Sequence, residues 1–471
     1  MTSETQPTDE LDRALVDAGQ EHLLESLHQA DGPIAERLRA ELAEVDLALV
    51  STLRAQLAAE APAAATDFAP PEMFPLTRAG GQGDEARAAS QRGAELLSSG
   101  SVGFLLVAGG QASRLGYDGP KGAYPLGPVT GRTLFDWHAS RIRAAARRHG
   151  FRPLWLVMTS RANDATTRQV FADNRHFGLD PEDVVFFSQA MLPALDREGR
   201  ILRAAPDALF LAPNGHGGSL EALARSGALA TARERGIRHL SYFQVDNPLA
   251  RPADPLFLGL HAGAGARMSS KVVAKRDPGE KVGVIGRMDG ELSCIEYLDL
   301  PDSLRDARDG EGELLFRAGN IAVHLIDVDF IDELTRDGLE LPWHVAKKRM
   351  QVVDPAGAPA EVDGVKFETF VFDALARSGA SVTLEVDRAL EFSPVKNREG
   401  SDSPATSRAD LGRLFAGWAE ASGRPAPPSA SDGGHAVEVD PLLAEDLGEF
   451  QAAGPPEPRE VDGGHLYAAP E

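Results

Sequence analysis

The stretch AGGQASRLGYDGPKG at 108–122 collects residue types that bind anions. Gly109 and Gly110 let the backbone approach a ligand closely, and N–H groups freed in such a turn attract negative charge. Arg114 and Lys121 follow in a segment too rich in glycine and proline to be helical. Both can reach phosphate oxygens, arginine as a planar fork and lysine as a point charge. Two familiar phosphate loops do not match. A P-loop requires GxxxxGK[ST], and Gly119-Pro120-Lys121-Gly122 has no Ser or Thr after the lysine. A dinucleotide fingerprint requires GxGxxG, and here the second glycine is misplaced, which argues against an NAD-dependent oxidoreductase. Asp246 ends the apolar run HLSYFQV. A carboxylate at a strand's carboxyl end can hold Mg²⁺, which takes few carboxylates and completes its shell with phosphate oxygens. The competing reading is a turn aspartate capping the next segment.

These side chains need a scaffold. GFLLVA (103–108), PLWLVMTS (153–160), VVFFSQ (184–189), HLSYFQVDN (239–247) and SSKVVAK (269–275) are short apolar runs that predict buried strands. Between them, 133–150 and 219–236 each read as one helix with a basic last turn and a closing glycine. Strands alternating with helices predict an α/β fold, a mostly parallel sheet with helices on both faces. The segment 283–300 predicts a hairpin inserted on the sheet, with Asp289-Gly290 as its turn. Leucines at helical spacing predict helices from 9 to about 60. An Ala- and Pro-rich stretch at 58–75 reads as a linker or extended arm. GRPAPPSASDGG (423–434) reads as a loop, and VEVDPLL (437–443) as part of a small cap with a few strands.

The chain has 471 residues, room for two or three domains, with 42% hydrophobic and 25% charged residues. A net charge of -23 argues against general nucleic-acid binding, since the phosphate backbone would be repelled. No apolar run reaches the length of a membrane span, and the N-terminus is polar and acidic, so a cytoplasmic protein without a membrane partner is expected. The single cysteine, Cys294, rules out an intrachain disulfide and is expected buried and inert.

The loop at 108–122 resembles the nucleotide loop of the UTP-dependent sugar-1-phosphate uridylyltransferases, with one extra residue before the proline. The resemblance is greatest to their UDP-N-acetylglucosamine pyrophosphorylase branch. It extends in family order through AGQEHLL (18–24), FFSQAMLPAL (186–195), PNGHGGSLEAL (213–223), YFQVDNPLARPADPLFLG (242–259), KVVAKRDPGEKVGVI (271–285), IEYLDLP (295–301), FRAGNIAVHLID (316–327), GVKFETFVFDAL (364–375) and EFSPVKNREGSDSPATSR (391–408). It implies a Rossmann-like nucleotidyltransferase with a mixed sheet. A helical N-terminal region and linker would cover 1–100, the nucleotide- and sugar-binding domain 101–400, and a small β-containing C-terminal domain 401–471.

The implied reaction joins UTP and a sugar 1-phosphate into a UDP-sugar and pyrophosphate, with magnesium. By resemblance, Val107, Ala108, Gly109 and Gly110 meet the nucleotide through their backbone, and Arg114, Lys121, Lys366 and Lys396 meet phosphates. Gln189 reads uracil, Gly215 lets the backbone approach, and Asp246 holds Mg²⁺. Glu296, Tyr297, Asn320 and Lys396 bind the sugar phosphate. His216 departs from the pattern: the N-acetylglucosamine branch usually has Asn there, whereas Gly-His-Gly occurs in related UDP-glucose and broad UDP-sugar enzymes. N-acetylglucosamine 1-phosphate is the expected substrate, with glucose 1-phosphate, galactose 1-phosphate or a broad range as the alternative. A silent UDP-sugar binder would require losses among Arg114, Lys121, Asp246 or Lys396, and all four are present.

Overall fold

The computed structural model describes residues 10–59, 65–79, 83–354, 357–426 and 436–469. They form two compact units.

The first unit gathers three separated stretches, Met1–Ala64, Gln189–Gly218 and Leu341–Val371. Its N-terminal part folds as α1 (Glu10–Asp17), α2 (Glu21–Gln29), α3 (Gly32–Ala43) and α4 (Leu47–Ala58). Pro33 sits in the first turn of α3, and Asp46 caps α4 by accepting from the Leu49 N–H. Each helix is too short to hold its shape alone, so its leucine stripe must be buried. Leu15, Leu23, Leu27, Leu38, Leu42 and Leu53 share one core with Leu192, Leu195, Ile201, Val365 and Phe367. The last two belong to a hairpin of His344–Val353 and Pro359–Glu368, paired over ten positions. Arg203–Ala205 and Ala208–Leu209 extend that sheet.

The second unit, Ala65–Ser188, Ser219–Glu340 and Phe372–Glu471, is built on an 11-stranded sheet. Its main strands are β1 (Val102–Val107), β2 (Trp155–Thr159), β3 (Val184–Ser188), β4 (His239–Gln244), β5 (Met268–Ala274), β6 (Val284–Met288), β7 (Glu291–Ile295), β8 (Ala318–Asp327) and β9 (Thr383–Glu385). The spatial order is β9-β5-β8-β4-β1-β2-β3. β4, β1, β2 and β3 are parallel, as their apolar runs predict. The whole sheet is nonetheless mixed, because β8 runs antiparallel between β4 and β5. The chain from β5 to β8 passes through a hairpin rather than a crossover helix, so it returns in the opposite sense. That hairpin, β6 with β7, turns at Asp289 (φ 51°) and Gly290 (φ 88°), a left-handed pair typical of a two-residue turn. It joins the sheet where Val284 pairs with Gly319.

Helices flank the sheet: α5 (Asp84–Ser98), α6 (Leu134–His149), α7 (Asp164–Asp173), α8 (Gly218–Arg225), α9 (Ala228–Glu234) and α10 (Pro255–Gly263). α6 begins at Thr133, whose hydroxyl accepts from the Asp136 N–H, and ends at Gly150 in left-handed geometry. The single helix expected over 219–236 is two, α8 and α9, because Gly227 takes φ 83° between them. Toward the C-terminus, Val437–Val439, Arg459–Val461 and Gly464–Tyr467 form a three-stranded sheet. Phe415, Trp418, Phe450 and Tyr467 lie in the same core as Trp137 and Trp155. The expected loop at 423–434 falls largely on 427–435, and part of the 58–75 stretch on 60–64, outside the described residues. No helix among the described residues is long and apolar enough to cross a membrane.

Candidate active site

The chain lays β1, β2 and β3 in one direction across the sheet, then sets β4 on the other side of β1. Ligands of open α/β sheets bind at such a reversal, beyond the carboxyl ends of the strands. Val107 pairs with both Met158 and Gln244. The loop after β1 and Asp246 after β4 therefore leave the sheet side by side.

The loop is held from beneath by two buried polar side chains, Ser160 and Asn163. Asn163 Nδ2 donates to Ala108 O at 2.9 Å and to Gly110 O at 3.3 Å, and Ser160 Oγ donates to Gly109 O at 2.8 Å. Gly110 O also accepts from the Lys121 N–H at 3.0 Å. In a trans peptide the carbonyl and the following N–H point opposite ways. Three pinned carbonyls thus turn the N–H groups of Gly109, Gly110 and Gln111 away from Ser160 and Asn163, a row of donors of the kind that can hold an anion. Gly110 is exposed, with no atom within 4 Å of where a side chain would begin. Gly122 is the reverse case: a Cβ there would lie 2.2 Å from the Phe135 ring. Ser160 and Asn163 were not legible as site residues. The only signal was a pair of polar residues at the carboxyl end of a buried strand.

Lys121 Nζ lies 3.1 Å from Asp246 Oδ2, and both side chains are largely enclosed. Asp246 is fixed through its backbone neighbours. Its carbonyl accepts from the Val395 N–H at 2.8 Å. Val245 O accepts from His138 Nε2 at 3.1 Å. Burial pushes the His138 pKa down to about 4, so the ring is neutral and this nitrogen carries the proton. Asn247 binds the 391–393 segment at Glu391 O, 2.7 Å, and the Ser393 N–H, 3.1 Å. These ties bring the backbone of Val395 and Lys396 beside Asp246. Lys396 is exposed, its Nζ 5.7 Å from the centre of the Phe392 ring. Arg114 is also exposed, on a single turn of 3₁₀ helix. The guanidinium of Arg398, absent from the sequence reading, lies 3.6 Å from where a Gly116 side chain would begin.

Glu296 and Tyr297 follow β7 directly, and Asn320 lies on β8 at a bulge. There Ala322 takes φ 55°, with its N–H bonded to Asn320 Oδ1 at 2.9 Å. Cys294 Sγ accepts from Asn320 Nδ2 at 3.5 Å. A side chain on Gly283 would meet Cys294 Sγ at 2.8 Å and Glu296 Oε1 at 3.3 Å. Cys294, Glu296 and Asn320 thus converge around Gly283. Cys294, expected buried, is half-buried. Burial of its sulfur, then Glu296, pushes the thiol pKa up and keeps it protonated.

The remaining predicted residues belong to the first unit. Gln189 follows β3 in the chain and is 9% exposed. Gly215 takes φ 82°, and a Cβ there would lie 2.3 Å from Thr369 O, so glycine is required. His216 stacks on Phe370 at 5.2 Å and accepts from the Val371 N–H through Nδ1 at 3.1 Å. Burial, then His344, pushes its pKa down to about 4. It therefore offers a neutral N–H rather than a cation. Lys366 sits on the hairpin with Nζ 5.2 Å from the Phe210 ring centre, and burial followed by Lys348 lowers its pKa.

A row of backbone donors beside a single carboxylate at the switch point suits an enzyme that works on nucleotide phosphates by positioning and charge. Known proteins narrow the class. The family model described as UTP–glucose-1-phosphate uridylyltransferase matches residues 84–402, and the chain belongs to that family. Nucleotidyltransferases of this kind generally use a divalent cation. The chain is 36% identical over 347 residues to UDP-N-acetylglucosamine pyrophosphorylase of Saccharomyces cerevisiae, 70% of this chain and 72% of that one. It is 37% identical over 429 residues to UDP-N-acetylhexosamine pyrophosphorylase-like protein 1 of Homo sapiens, 86% and 84% of the two chains. The crystal structure of the Trypanosoma brucei uridine diphosphate N-acetylglucosamine pyrophosphorylase with an inhibitor superposes with a TM-score of 0.79 at 27% identity, covering 96% of this chain and 95% of that one.

Proposed function

We propose that this protein joins UTP and N-acetylglucosamine 1-phosphate into UDP-N-acetylglucosamine and pyrophosphate. A sugar-phosphate oxygen attacks the α-phosphorus in line, forming one P–O bond as the bond to pyrophosphate breaks. The observation that carries this reading is the pinned Gly109–Gln111 row of N–H donors with Lys121 and Asp246 3.1 Å apart beside it. The names of similar relatives, with the convergence of Glu296 and Asn320, support the N-acetyl sugar.

The protein's task is to hold two polyanions in line and offset their repulsion. We assign the triphosphate to the backbone of Val107 to Gly110 and to Arg114 and Lys121, and further phosphate contacts to Lys366 and Lys396. Gln189 presents a side-chain amide that can both donate to and accept from a uracil edge. We assign the sugar to Glu296, which accepts from its hydroxyls, and to Tyr297 and Asn320, and by the family resemblance also to His216 of the first unit. Gly215 lets the backbone come close. Asp246 suits Mg²⁺: among the described residues no other ligating pair joins it in a metal-holding cluster, so an ion there would draw most of its ligands from phosphate and water. Magnesium bound there would neutralise phosphate charge. We keep the cytoplasm as the expected location.

One observation favours a second reading. By the family resemblance, His216 stands where the N-acetylglucosamine branch usually has Asn, which points to glucose 1-phosphate, galactose 1-phosphate or a broad range. Pyrophosphate release with UTP and Mg²⁺, run in parallel on the three sugar 1-phosphates, separates the readings. Release confined to the N-acetyl sugar supports the proposal, and release mainly with glucose or galactose moves the assignment to the second reading. No release with any sugar overturns both.

A further inference from the structure

At the end of β4 remote from Asp246, three side chains outside the proposed reaction meet. His239 opens β4, Asp327 closes β8, and the two are paired directly across the antiparallel ladder. They therefore share one face of the sheet. α10 brings His261 over that face. His239 Nδ1 lies 2.6 Å from Asp327 Oδ1, and His261 Nε2 lies 3.0 Å from the same oxygen. The rings stand perpendicular, 5.3 Å between centres. One ligand atom from each residue falls within 4.8 Å of the others, and no other such group occurs among the described residues.

We propose that His239, His261 and Asp327 form a binding site for a divalent transition metal, zinc by ligand type. Two imidazoles and one carboxylate suit zinc and its neighbours, whereas magnesium prefers oxygen alone. Zinc bonds of about 2.0–2.2 Å at tetrahedral angles set ligand atoms roughly 3.3–3.5 Å apart, so each ring must draw back from Asp327 by less than about 1 Å, and the two ring nitrogens, within 4.8 Å of each other, must settle at the same spacing. The Asp327 side chain is 28% exposed and that of His239 13%, which leaves freedom for this shift and access for a water as fourth ligand. His261 is fully buried, and its other nitrogen lies 2.8 Å from Ser269 Oγ. That contact orients the ring as outer partners orient metal-bound histidines.

Protons balance without an outside acceptor when both rings are neutral. Each ring gives up the N–H that faces Asp327 and carries its proton on the other nitrogen instead. For His261 that nitrogen is Nδ1, where Ser269 Oγ becomes the acceptor. The site lies roughly 20 Å from Asp246, seven residues along β4 and its exit. It ties the start of β4, the end of β8 and α10, so its expected effect is on stability rather than turnover.

The probe is Co²⁺ with Zn²⁺ as competitor, titrated into the chelator-treated full chain. One equivalent should give the visible absorption of four-coordinate cobalt, and zinc should abolish it. The signal should persist in Asp246→Asn and be lost in His239→Gln and Asp327→Asn. Zinc should raise Tm of the parent but not of those two variants. Zinc-edge X-ray absorption of the parent needs no variant and should show two imidazoles. Absence of the cobalt signal in the parent, its survival in folded His239→Gln, or an oxygen-only zinc shell would each overturn the proposal.

Discussion

Asn163→Ala tests whether the nucleotide loop is shaped from beneath. Asn163 is 1% exposed and makes the 2.9 Å and 3.3 Å bonds to the carbonyls of Ala108 and Gly110. Its own Oδ1 accepts from the Ser160 N–H at 2.8 Å. The truncation strips the Ala108 carbonyl of its side-chain donor, while Gly110 O keeps the Lys121 N–H. One buried carbonyl left without its donor costs about 1–3 kcal/mol. The peptides can avoid that cost only by rotating, which spoils the N–H row. UTP affinity should therefore fall by about 5- to 150-fold, at 1.4 kcal/mol per factor of ten. Calorimetric titration with UTP reads this directly, and circular dichroism checks the fold. Asn163→Asp keeps the Oδ1 acceptor but loses both donated bonds, so it should fail as badly. Unchanged UTP affinity in a folded Asn163→Asp would refute the reasoning, because that variant has lost both donated bonds and also sets a negative charge against the loop carbonyls.

Lys121→Ala should lower kcat by about 10²–10³-fold while UTP affinity changes far less, since the charge it meets shifts in the transition state. Steady-state kinetics beside equilibrium binding decide this, and near-normal turnover would remove Lys121 from the reaction. Gln189→Ala should reduce the preference for UTP over CTP by about 10- to 100-fold, the worth of a lost pair of hydrogen bonds; competition kinetics with both nucleotides give the ratio. His138 links stability to pH. Its folded pKa, about 4, lies below the unfolded value, so its contribution is present above about pH 6.5 and is lost as pH falls toward 4. The full gap is worth about 3 kcal/mol, and denaturant midpoints between pH 7 and pH 4.5 should fall less steeply in His138→Gln.

What could be read from the chain depended on how local the cause was. The parallel strands β1 to β4 and the loop after β1 follow from apolar runs and glycine spacing within a dozen residues. The turn at Asp289-Gly290 follows from two residues. Strand direction did not follow: FRAGNIAVHLID shows an apolar run but nothing of its sense, which the β6–β7 hairpin decides. Ser226-Gly227 broke a helix whose charge pattern ran on across it. The pinning of the loop by Asn163 was hidden because the contact joins the exits of two strands. His239 and Asp327 lie 88 residues apart and meet only through sheet register.

The three-part core of the first unit sets a timetable for the nascent chain. Nearly three hundred residues separate α4 from the hairpin whose Val365 and Phe367 cover the leucines of α1 to α4. At ribosomal rates of about 5–20 residues per second, those leucines wait roughly 15–60 s for their cover. The four helices emerge well before the hairpin that covers them and are completed late. Until then their leucines lack part of their core, and closure of this unit is a non-local step, the kind that folds slowly.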